Sequence, residues 1–121
     1  MGVEKLNKEI ANHNYSKRAY KVEGYKSFEE FYPYYLSEHC NTINRRLHLF
    51  GTTNVVAILT YLVLSRQPKY WWVMFLQGYG FAWIGHFIFE KNKPATFKHP
   101  IYSLMGDWKM WYEVVSGRRK F

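Results

Sequence analysis

Cysteine is almost absent: Cys40 stands alone in 121 residues, which excludes an intrachain disulfide and any zinc site built on paired thiolates. Acidic residues are scarce too, nine against 17 Lys and Arg, leaving a formal charge of +8. Such an excess suits nucleic acid or an anionic membrane surface. The basic residues flank apolar segments instead of forming one stripe, so membrane lipid is the expected partner and nucleic acid is not. No internal repeat is present, and the length fits one functional unit. The stretch Met1 to Ala11 lacks the apolar core of a signal peptide, so export is not expected.

Formal charge is missing altogether from two stretches. Leu47 to Ser65 and Tyr70 to Phe89 contain no Asp, Glu, Lys or Arg, and His48 and His86 are their ionisable groups near neutral pH. Each approaches the roughly 20 residues a helix needs to cross a bilayer. The intervening Arg66, Gln67, Pro68 and Lys69 are too few for anything but an antiparallel turn. The expected fold is therefore all-α: an integral membrane hairpin of two transmembrane helices with flanking amphipathic or interfacial helices. A buried hairpin in a soluble domain is the alternative, but the rest of the chain is small and polar for covering two helices apolar nearly all round. Aromatic residues reach 21%, as expected where Trp and Tyr sit at headgroup depth.

Gly78, Ala82 and His86 recur every fourth residue, a side suited to close approach to the first helix. Asn41, Asn44, His48 and Thr52 form a polar stripe that should face protein or a wet cavity. Arg45, Arg46, Lys91, Lys93 and Lys98 flank the open end of the hairpin, against Arg66 and Lys69 in its loop. The positive-inside rule then places both termini in the cytoplasm. The membrane would be the cell inner membrane in a bacterium or the endoplasmic reticulum in a eukaryote.

Ser27 and Glu30 have capping-box spacing, and Phe28, Phe31, Tyr32, Tyr35 and His39 share a helical face on which Pro33 marks a kink or a start. Pro100 can open a further helix whose face of Ile101, Leu104, Met105, Trp108, Tyr112 and Val115 ends at Gly117. That helix suits either the membrane interface or packing on the hairpin ends. Asp107 falls beside this face, where capping or a salt bridge is the expected role. Three parts result: residues 1–26 as a polar arm, loosely ordered or a short surface helix; 27–117 as a membrane-embedded histidine-cluster domain; 118–121 as a basic tail.

A hairpin sets the start of its first helix beside the end of its second, bringing His48 and His86 to one depth. His39, Glu90 and His99 map to the same end, whereas His13 lies in the arm. His39 and His48 would point apart on one straight helix, and a break at Asn41, an acceptable N-cap, would let both face one site. Two or three histidines with a carboxylate and open positions suit non-haem Fe(II), while zinc accepts the same donors. Glu90 serves equally well as a counter-ion for Lys91 or Lys93, and Cys40 as a small buried side chain.

The chain resembles the family of yeast 2-hydroxy fatty acid dioxygenases, membrane proteins of fatty-acid α-oxidation, over roughly Phe31 to Leu104. The resemblance rests on His39 with Asn44-Arg45-Arg46-Leu47-His48, and on the run Gly85-His86-Phe87-Ile88-Phe89-Glu90-Lys91-Asn92-Lys93-Pro94-Ala95. It marks His39, His48 and His86 as candidate iron ligands and catalytic residues, with Asn44 and Glu90 as motif neighbours; His99 lies outside the motif. The chain is shorter than eukaryotic relatives, as a bacterial form would be. The resemblance implies Fe(II)- and O2-dependent removal of one carbon from a 2-hydroxy fatty acid, with Asn44, Arg45, Arg46, Lys91 and Lys93 as candidates for holding the substrate. Self-association is compatible with this reading. Two competing functions are a non-catalytic membrane adaptor for anionic lipid or a partner protein and a zinc-dependent lipid hydrolase.

Overall fold

The computed structural model of the protein describes residues 10–93 and 98–121; the start of the arm and the Pro94-Ala95 end of the motif lie outside them. The described residues contain helices and no strands: α1 (Phe28–Ser37), α2 (Thr42–Ser65), α3 (Trp71–Ile84) and α4 (Pro100–Val115). A single turn of 3-10 helix, Pro68–Tyr70, leads into α3, and a π-helical turn, Gly85–Glu90, continues it.

Helix α1 starts where the Ser27 hydroxyl accepts a hydrogen bond from the Glu30 amide. The reciprocal half of a capping box is absent, because the Glu30 carboxylate accepts from the Lys26 amide and from Lys21 instead. Pro33 neither starts nor ends α1 but sits inside it. The helix stops at Ser37, and Asn41 starts the next one by accepting from the amides of Ile43 and Asn44. This restart, required if His39 and His48 are to share a site, begins α2 five residues before the uncharged stretch.

Helix α2 is 24 residues long, about 36 Å at 1.5 Å per residue. It ends at Arg66, whose left-handed backbone (φ 56°) turns the chain. Helix α3 then returns antiparallel against it. The side bearing Gly78 faces α2, since a Cβ on Gly78 would lie 3.2 Å from Val55 Cγ2. Among the described residues one helix, α2, is long and apolar enough to cross a membrane. The second expected span is α-helical for only 14 residues and continues as six residues of π-helix.

Helix α4 departs from the usual inside-out pattern. Its apolar face points outward, with Ile101, Leu104, Met105, Trp108, Tyr112 and Val115 exposed, while Ser103, Gly106, Met110 and Glu113 are buried. Gly106 is needed for this contact, because a Cβ there would come within 2.9 Å of the Tyr35 ring. The apolar core joins Tyr15, Phe31, Tyr32, Tyr35 and Leu36 to Leu49 and Met110, each large side chain contributing roughly 1.5–3 kcal/mol by burial.

Residues 10–26 form no helix, yet they pack onto this core. Tyr15 is buried beneath the Arg45 guanidinium, 3.9 Å from its ring centre. Burial is also why its phenol is pushed up to about 12. Arg119 is buried in turn, bonding Glu113 at 3.2 Å and the carbonyls of Ala11 and Asn12.

Candidate metal centre

Three local devices bring three histidines together. The restart at Asn41 leaves His39 in the turn between α1 and α2. One and a half turns into α2, His48 faces inward with the buried polar stripe of Asn44 and Thr52. His86 lies on the π-helical turn, a rare geometry that re-aims side chains and recurs at functional sites. That turn presses against α2 at Gly85, where a Cβ would sit only 2.2 Å from Asn44 Oδ1. The ring centres are 4.7 Å apart for His39 and His48, 4.7 Å for His39 and His86, and 5.8 Å for His48 and His86. One nitrogen from each ring can be chosen so that all three lie within 4.8 Å of one another.

Hydrogen bonds fix which nitrogen each ring offers. His39 Nδ1 donates to the Tyr35 carbonyl at 2.8 Å, leaving the Nε2 lone pair bare, buried and without a partner. His86 Nδ1 donates to Asn92 Oδ1 at 2.8 Å, and the Asn92 amide is oriented by donating to the Glu38 carboxylate, so His86 also offers Nε2. His48 is turned the other way. Its Nε2 donates to Asp107 Oδ1 at 2.5 Å and its Nδ1 is buried without a partner. Tyr35 donates to the same Asp107 oxygen at 2.6 Å. An acceptor locking the far nitrogen is how metal-binding histidines are oriented. Burial, followed by the neighbouring His48 and His86, holds the His39 imidazole well below its ordinary pKa, in the neutral form that can ligate.

The other candidates fall outside the trio. His99 Nε2 pairs with the Tyr20 hydroxyl at 2.9 Å, and its ring lies among Phe31, Tyr25 and Tyr102. Glu90 ties the π-helical turn to the start of α2, accepting from Cys40 Sγ at 2.8 Å and the Asn41 amide at 2.7 Å. Burial and that bond push the Cys40 thiol pKa up. Asn44 donates to the Glu38 carbonyl, and its Oδ1 is buried and unpartnered. The Arg45 guanidinium serves the carbonyls of His39, Cys40 and Phe121. Arg46 lies over the Phe121 ring, and Lys91 and Lys93 are exposed. Asp107 does form the expected salt-bridge contact, but with His48. The supporting roles of Tyr35, Glu38 and Asn92 carry no local signal, because each depends on how separate elements meet.

A family model described as 2-hydroxy-palmitic acid dioxygenase Mpo1-like matches residues 25–119. The chain belongs to the Mpo1-like family. Neither the curated proteins nor the solved structures include a match. The three clustered histidines of this Mpo1-like chain, and every residue that fixes their tautomers, lie inside the matched region.

Proposed function

We propose that this Mpo1-like protein is a membrane-embedded, Fe(II)-dependent dioxygenase that removes one carbon from 2-hydroxy fatty acids, with His39, His48 and His86 as its metal ligands. The observation that carries the reading is the buried trio, two of whose nitrogens have no other partner. An unsatisfied buried polar atom is costly, and a cation shared by three lone pairs relieves that cost. Neutral imidazoles suit iron, and the donor set therefore fits. Iron(II) would supply O2 activation and a point at which the hydroxyl and carboxylate of the substrate are oriented together.

The chain's own residues do the rest. Tyr35, Asn92 and Asp107 each hold one ring proton, so every ring keeps its other nitrogen as a free lone pair for the metal. The core of Phe31, Tyr32, Tyr35 and Leu36 shields one flank from water. Membrane embedding is supported by the length of α2 and by exposed Tyr61, Val63, Leu64, Trp71, Trp72, Leu76 and Ile88 on the hairpin, with Ile101 and Val115 on α4. Apolar surface this extensive is otherwise a mark of aggregation. In this reading both α2 and the α3–π segment are immersed, with the trio near one membrane surface.

The test supplies purified protein with Fe(II), oxygen and 2-hydroxy fatty acids of several lengths, and follows the acid one carbon shorter by mass spectrometry. Turnover is expected, and His48→Ala and His86→Ala should abolish it while the protein still enters the membrane fraction. Product formed without metal and oxygen, or none at any chain length, would overturn the proposal.

A further inference from the structure

His48 of the trio lines one end of a cleft between α2, α3 and α4 with about 180 Å³ of room. Its α2 wall is His48, Thr52, Val55 and Leu59, a single helical face spanning about 16 Å at 1.5 Å per residue. Gly78 and Ala82 on α3 keep the opposite wall low, and Trp108 of α4 lines the side. His48 and Asp107 stand together at one end, and the other lining residues are uncharged. Beyond them the Thr52 hydroxyl is satisfied by the His48 carbonyl at 3.0 Å. Past Leu59 and Met74 a second hollow, sharing both residues, continues toward the hairpin turn at Pro68.

The geometry points to this cleft as the binding site for a single extended acyl chain, its polar head at the His48 end beside the trio and its tail running along α2 toward Leu59 and the turn. Volume decides the occupant: a helix from a second copy or a partner is about 10–12 Å across with its side chains, too bulky for about 180 Å³. Polarity decides its chemistry, since the lining is uncharged and mostly apolar from the His48–Asp107 pair at the head to Arg66 at the far end of the second hollow. The inference rests on the proposed reaction for the identity of the head group, and it adds where the tail lies. Leu59, at the junction of the two hollows, then limits chain length.

The experiment uses the full chain in lipid nanodiscs with 2-hydroxy fatty acids carrying a photoreactive diazirine at successive carbons, with crosslinked residues mapped by mass spectrometry. Labelling should move with the diazirine, from Thr52 and Ala82 for positions near the head to Leu59 and Met74 for positions near the tail end. Leu59→Trp should move the ratio of kcat/KM for shorter over longer acids by about tenfold or more, the scale set by a few methylenes in an apolar pocket. Ordered labelling without turnover keeps the tail path and removes the reaction. Turnover with labelling spread over the outer surface, or with none in the cleft, removes the tail path and leaves the reaction standing.

Discussion

Replacing Asp107 by Asn removes the negative charge that touches His48 of the trio. In the native protein Asp107 Oδ1 accepts two hydrogen bonds, from His48 Nε2 at 2.5 Å and from the Tyr35 hydroxyl at 2.6 Å. The carboxylate cannot donate, so the His48 proton sits on Nε2 and the lone pair on the buried, unpartnered Nδ1. Asparagine keeps the shape but loses the charge, and its amide can turn its nitrogen to His48 and drive the proton onto Nδ1. Loss of an outer partner of this kind lowers metal affinity about 10–100-fold, or about 1.4–2.8 kcal/mol. Tyr35→Phe removes a bond to Asp107 but leaves His48 anchored, so its loss should be smaller. The assay is competitive titration of Co(II) or Zn(II) against a chromophoric chelator, which reports affinity whether or not the protein turns over substrate. If Asp107→Asn binds metal as the parent does while His48→Ala binds none, Asp107 neither orients His48 nor sets its tautomer.

Gly85→Ala should lower thermal stability by roughly 1–3 kcal/mol, the usual cost of forcing an atom into a packed contact, because its Cβ would meet Asn44 Oδ1 at 2.2 Å; a midpoint unchanged in a detergent melt would refute the close approach. His99→Gln should leave metal content intact, since His99 pairs with Tyr20 outside the trio, and metal analysis of the purified variant checks this. The metal-free protein should lose stability on acidification. His39 is held well below its ordinary pKa by burial, so the unfolded chain binds the proton more readily; stability is full above about pH 6.5 and falls as pH drops below it. Melts from pH 7.5 to 5 should show that slope, and His39→Asn should reduce it; an identical slope in the variant would assign the acid sensitivity elsewhere.

The sequence by itself determined the helical class, the hairpin and the end of it at which chemistry gathers. Uncharged stretches of helical length leave few alternatives, and a four-residue turn with Pro68 permits only an antiparallel return, which sets His48 beside His86. The Asn41 cap was legible because capping is local, a side chain bonding amides two and three residues on. Tertiary structure decided everything that depends on how elements meet. It separated His99 from the trio by giving it Tyr20 and an aromatic niche. It turned Glu90 from a candidate ligand into a tie between the π-helical turn and Asn41. The change from α to π at Gly85 is written in no propensity and arises where the turn presses against Asn44. Helix α4 shows the limit most plainly: periodicity found its apolar face, but whether that face points inward depends on what surrounds the protein. Here the buried face is Ser103, Gly106, Met110 and Glu113, because Gly106 admits Tyr35 and Asp107 meets His48, contacts made between residues 59 to 72 positions apart in the chain.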